Sequence, residues 1–126
     1  MLLLDTSALL FWSLDPGKLS EKAQKHIKET ENLIISSISI WEIGIKIKRK
    51  KLITPLMLNE FVTRLKKTGQ VEIIPVDETI WIKNIELEWD NGDPADRTIV
   101  ATALIHDCSL VTSDKIITQF YSKTIW

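Results

Sequence analysis

Along the chain, short apolar runs that stop on polar or acidic residues alternate with stretches whose apolar positions recur at helical spacing. The first run, Leu2-Leu3-Leu4, ends at Asp5-Thr6-Ser7, and helical character follows from Ala8 to Trp12. A run with no polar alternation suits a strand covered on both faces, so a buried strand, an acidic turn and a helix are predicted here. Asp15-Pro16-Gly17 breaks the chain, and Ser20-Glu21-Lys22-Ala23 starts a second helix that reaches about Glu29. Leu33 to Ser36 predicts a second strand, and Val71 to Val76, closed by Asp77, a third. Between them a helical stretch runs from Pro55 to Leu65, and Asp77 stands where it caps a further helix from Glu78 to Glu88. Strands separated by helices in this way predict an α/β chain.

The segment after Ser36 sends two signals. Ile38, Ile40, Ile43, Ile45 and Ile47 are β-branched and partly alternate with polar residues, which favours a strand. Ser39 and Glu42 stand at capping-box spacing, and the alternation slips at Trp41, which favours a helix. The helix is preferred. On it Glu42, Lys46 and Arg49 share one edge, with apolar flanks on either side.

The most informative stretch is Asn91 to Asp114. Asn91-Gly92 signals a turn, Asp93 an N-cap, and Pro94 the first turn of a helix that ends near Cys108. Ile99, Val100, Ala103 and Leu104 fall in one apolar arc, and Asp96 sits near its middle, so a carboxylate is aimed at the core. Leu110 to Thr112 reads as a short buried strand. A helix of about eleven residues climbs roughly 16 Å and the strand returns a similar distance, which brings Asp114 back to the edge that holds Asp96. Lys123 to Trp126 adds a last edge strand.

Composition narrows the possibilities. At 126 residues, 44% hydrophobic and 26% charged, the chain has the size and balance of one domain spanning 1–126, and a net charge of -1 names no partner. A single cysteine, Cys108, excludes an internal disulfide, and with only two histidines there is no zinc-type ligand set. A cytoplasmic location fits that usage. The apolar N-terminus is too short for a signal or membrane segment. The five tryptophans are expected as core or interface anchors.

Candidate chemistry lies in the acids. Asp5 follows the first strand, Glu42 lies early in the helix after the second, and Asp96 and Asp114 share an edge; ligands of open parallel sheets sit beyond strand carboxyl ends. Each acid has a plainer role available: Asp5 and Asp93 as helix caps, Glu42 as the capping-box acid. For Asp96 the plain role is insufficient, because a cap need not face the core and a buried unpaired carboxylate is costly. Four clustered carboxylates call for a hard cation, Mg²⁺ or Mn²⁺, and point to metal-assisted hydrolysis. Five of the six residues from Lys46 to Lys51 are basic. Lys46, Lys48, Arg49, Lys50 and Lys51 either form an ordinary solvated helix end or, if they border the acids, bind phosphate.

Asp5-Thr6-Ser7, Ser39-Ile-Trp-Glu42-Ile with Lys46, Asp93-Pro-Ala-Asp96-Arg97 and Leu110-Val-Thr-Ser-Asp114, taken in order, resemble the successive motifs of the PIN-domain nucleases, and most closely the VapC toxins of toxin–antitoxin pairs. The resemblance covers essentially the whole chain. It implies a PIN-like fold with a central parallel sheet flanked by helices, Mg²⁺- or Mn²⁺-dependent endoribonuclease activity on structured RNA, a cognate antitoxin partner and a homodimer. Carried over by position, it makes Asp5, Glu42, Asp96 and Asp114 the catalytic, metal-binding acids, with Asp93 a further neighbour and Ser7 and Thr112 orienting the site. Three alternatives stand beside it. A haloacid-dehalogenase phosphatase needs a second acid where Ser7 stands, and a receiver domain needs paired early acids. A non-catalytic RNA-binding PIN domain would not need the intact acids.

Overall fold

The computed structural model describes residues 1–126 throughout. Five strands, β1 (Leu2–Leu4), β2 (Leu33–Ser36), β3 (Val71–Ile74), β4 (Ser109–Val111) and β5 (Thr124–Ile125), form one sheet in the order β3-β2-β1-β4-β5. Every pairing is parallel. Seven α-helices accompany them: α1 (Thr6–Leu14), α2 (Glu21–Glu29), α3 (Ser37–Lys48), α4 (Leu58–Lys67), α5 (Glu78–Glu86), α6 (Pro94–His106) and α7 (Lys115–Phe120).

The unbroken apolar runs of the inner strands follow from this layering, since successive side chains point to opposite faces and both are covered. Leu2, Leu4, Leu33, Ile35 and Val111 enter one core with Ala8 and Leu9 of α1, Ala23 and Ile27 of α2, Ile43 of α3, and Phe61 and Leu65 of α4. Leu3, Ile34 and Leu110 enter the other with Ile99, Val100 and Ala103 of α6 and Ile117 of α7. Leu3, Leu4, Ile34, Ile35 and Leu110 are fully buried. Each contributes on the order of 1.5–3 kcal/mol relative to an exposed side chain.

From β1 the chain winds outward through β2 to β3, then returns to the opposite side of β1 to lay down β4 and β5. The winding reverses between β1 and β4, where the carboxyl ends of an open parallel sheet leave a crevice. The backbone N–H of Asp5 donates to the Val111 carbonyl at 3.1 Å, which ties the two strand ends together at that point.

Several elements differ from the sequence reading. Residues 37–48 are helical as expected, but the cap is Ser36, whose Oγ accepts from the Ile38 N–H at 3.2 Å. Ser39 lies inside the helix and is fully buried, so it cannot cap it. The β-branched preference loses because α3 buries Ile43 in one core and packs Ile38 on the other. α4 begins at Leu58 rather than Pro55, and β3 stops at Ile74 because Pro75 has no N–H for the ladder. α7 was not expected. Among the tryptophans expected as anchors, Trp12 and Trp89 pack on the cores, whereas Trp41 is 59% exposed.

Candidate active site

Asp5 is carried past the end of β1 and becomes the N-cap of α1, its Oδ1 accepting the Ala8 N–H at 2.8 Å. Asp114 does the same after β4, capping α7 by accepting from Ile116 at 2.8 Å and Ile117 at 3.3 Å. Asp96 lies in the first turn of α6, and Glu42 in the second turn of α3. These four carboxylates, from four separate elements, line one pocket of about 200 Å³ together with Thr6, Ser7, Lys46, Ile99 and Ser113. Capping and clustering are therefore not alternatives. Asp5 and Asp114 do both, because a helix that starts at a strand's carboxyl end points its cap into the crevice.

Asp93 caps α6, accepting from the N–H groups of Ala95 at 2.9 Å and Asp96 at 3.0 Å, and lies outside that pocket. Ser7 lines the pocket. Thr112 is buried; its Oγ1 accepts the Asp114 N–H at 3.0 Å, and its side chain hydrogen-bonds to Asp5.

Three further residues shape the site, although the sequence motifs that contain or adjoin them gave them no role in it. Thr6 donates its hydroxyl to Glu42 Oε1 and lies 2.9 Å from Ser39 Oγ, so it holds the α3 acid from α1. Asn91 donates from Nδ2 to Asp96 Oδ2 at 3.0 Å. Arg97 holds the loop that carries Asn91: its guanidinium donates to the carbonyls of Asn84 (2.6 Å), Leu87 (3.1 Å), Trp89 (2.6 Å) and Asn91 (3.1 Å), and to Asn84 Oδ1 (3.2 Å). The signal for Thr6 was its place between Asp5 and Ser7. Arg97 gave only a cation in the first turns of an otherwise apolar helix.

The electrostatics show what the pocket lacks. Burial pushes the Asp5 carboxyl up to about 6; the Thr112 and Ala8 hydrogen bonds oppose that rise, while the charges of Asp114 and Glu42 add to it. Burial likewise raises Asp96 to about 6 against the Asn91 hydrogen bond, with Asp93, Asp114 and Glu42 adding to the rise. With Asp5 and Asp96 raised chiefly by burial, the pocket is short of positive charge, and Lys46 is the one cation lining it. The donors are all hard carboxylate oxygens, which suit Mg²⁺ or Mn²⁺. No three acidic, histidine or cysteine side chains converge closely enough to enclose an ion by themselves.

The basic run divides. Lys46 is half-buried at the acidic pocket, while Lys48, Arg49, Lys50 and Lys51 are exposed. Arg49 and Lys51 join Lys46 along an adjoining cleft of about 310 Å³ between α3 and the start of α6.

Comparison with known proteins decides the family. The PIN domain family matches residues 2–123, nearly the whole chain. This chain is a PIN domain. Ribonuclease VapC22 of Mycobacterium tuberculosis is 28% identical to this PIN domain over 114 residues, covering 90% of this chain and 86% of that protein. Solved structures share the fold as well. A toxin–antitoxin complex from Klebsiella pneumoniae superimposes with a TM-score of 0.70 at 20% identity, over 100% of this chain and 97% of that one. FitAcB from Neisseria gonorrhoeae gives 0.64 at 23% identity over 93% and 90%. VapC20 of M. tuberculosis, described as a sarcin-ricin loop cleaving toxin, gives 0.64 at 13% over 94% of each chain. The five-stranded parallel sheet flanked by helices is thus the PIN fold anticipated from the motifs.

Proposed function

We propose that this PIN domain is a metal-dependent endoribonuclease, the toxin of a toxin–antitoxin pair, which hydrolyses phosphodiester bonds in structured RNA. The observation that carries the reading is the convergence of Asp5, Glu42, Asp96 and Asp114, from four elements, in one crevice at the point where the sheet's winding reverses. Support for RNA as substrate comes from the names of the similar proteins, a ribonuclease and a toxin that cleaves the sarcin-ricin loop. The antitoxin partner rests on the similar toxin–antitoxin complex. Trp81, Ile82 and Ile85, exposed along α5, favour a homodimer, since an apolar helix face of this kind gains from being covered.

Asp5, Glu42, Asp96 and Asp114 would hold Mg²⁺ or Mn²⁺. Such an ion supplies a more acidic water and charge neutralisation at the phosphate. The chain's own residues do the positioning. The α1 cap fixes Asp5, Thr6 fixes Glu42, Asn91 fixes Asp96, and the α7 cap fixes Asp114. Lys46 offers positive charge to a phosphate oxygen at the same pocket. Water would then attack phosphorus and lose a proton to solvent, as the bond to the leaving oxygen breaks and that oxygen takes up a proton. Cleavage of total RNA with Mn²⁺ tests the assignment through Asp5→Asn, Glu42→Gln, Asp96→Asn and Asp114→Asn. Each should lower turnover at least about 100-fold while circular dichroism stays unchanged. A variant that keeps wild-type turnover removes its residue from the site.

A further inference from the structure

The cleft beside the acidic pocket has a composition the hydrolytic site does not account for. Its walls are Trp41, Ile45, Arg49 and Lys51 on the α3 side and Asp93, Pro94 and Ala95 on the α6 side; Glu42 and Lys46 line both hollows. Trp41 is 59% exposed on the first half of α3, at the rim of this cleft. The cations are brought there by the way α3 ends. Lys50 adopts a left-handed conformation (φ 57°), costly for a residue with a Cβ, and the Lys51 N–H returns to the Lys46 carbonyl at 2.8 Å. That reversal folds Lys51 back beside Lys46 and Arg49, while Lys48 and Lys50 stay outside the cleft. Three cations thus face two acids, and Asp93 Oδ1 is already committed to two backbone N–H groups.

Resting on the RNA-cleaving reading, we propose that this cleft is a subsite for one unpaired nucleotide of RNA, its base lying against Trp41 and its phosphate between Arg49 and Lys51. A volume of about 310 Å³ is at the small end of the range for ligand sites, about 300–1,000 Å³, and suits a ligand the size of one nucleotide. A base stacks on an indole whatever its sequence, and guanidinium and ammonium groups take the phosphate. Because Glu42 and Lys46 are shared, the nucleotide in the cleft neighbours the bond that is cut. The substrate must therefore present an unpaired base there, as a loop or a single strand does and a duplex does not.

Anisotropy of labelled RNA in EDTA, where no strand is cut, reads this directly. Three probes are compared: oligoadenylate, a ribose-phosphate oligomer of equal length without bases, and an RNA duplex. The wild type should bind oligoadenylate about tenfold more tightly than the base-free strand, and the duplex no better than the base-free strand. Trp41→Ala should erase that preference and Trp41→Phe should keep much of it. Arg49→Gln with Lys51→Gln should weaken all three probes and flatten the salt dependence, whereas Lys48→Gln with Lys50→Gln should do so markedly less. A preference that survives Trp41→Ala overturns the subsite, and so does a Trp41→Ala protein whose only change is loss of a dimer in light scattering. Cleavage of total RNA with Mn²⁺ is scored separately. A wild type that cleaves but shows no base preference overturns the subsite alone; one that neither binds nor cleaves overturns the ribonuclease reading with it.

Discussion

Asp5 meets two opposing demands, since its carboxylate caps α1 and is 7% exposed while facing Asp114 and Glu42. The cap favours the ionised form; burial and the neighbouring acids oppose it. With folded-state values raised from 3.8 to about 6, Asp5 and Asp96 hold protons in the folded protein that the unfolded chain has released. Metal-free stability therefore falls as pH rises through the window from about 4 to about 6, and levels off above it. Asp5→Asn keeps a good cap, because Asn caps as well as Asp, and removes one crowded charge. At pH 7 the metal-free variant should be more stable than the wild type by on the order of 1 kcal/mol. It should also lose part of the pH dependence. Thermal melts in EDTA at several pH values measure both, and a lower melting temperature at pH 7 would show that Asp5 is held by its charge.

At the scale of elements, the loop between α5 and α6 has no strand or helix of its own and is held by Arg97, three of whose five hydrogen bonds reach loop carbonyls and two the end of α5. Lysine keeps the charge but not the planar fork. Arg97→Lys should lower stability by roughly 1–3 kcal/mol in urea unfolding. Because the loop presents Asn91 to Asp96, it should also weaken Mn²⁺ binding measured by calorimetry; unchanged metal affinity would leave Arg97 a purely structural residue. Arg97 closes one of the sequence motifs, but its role was not legible there, because its partners are mostly carbonyls, which leave no residue-type signature. The inner strands were legible because burial on both faces forces unbroken runs such as Leu2-Leu3-Leu4. The four acids were legible because each sits just past a strand end or at the start of a helix. Ser39 was misread as a cap because capping-box spacing also occurs inside a helix that Ser36 has already capped. α7 escaped notice because Asp114 was read only as an acid after a strand, although it also starts six helical residues.

For the molecule as a whole, the pocket exists only because the doubly wound sheet returns β4 to the side of β1 opposite β2. Asp5 and Asp114 then meet across adjacent strand ends, and α3 and α6 deliver Glu42 and Asp96 from the two faces. Local sequence brings no more than one of these acids to each corner. On the proposed reading, a site assembled this way, with four carboxylates and Lys46 its one cation, would make hydrolysis conditional on a divalent cation. The most direct measurement incubates the purified protein with total RNA in Mn²⁺, in Mg²⁺ and in excess EDTA, and then restores the metal to the EDTA sample. Fragments should form with either ion, vanish with EDTA and return on restoration; fragments that persist in EDTA, at a rate Asp96→Asn does not lower, would contradict the account.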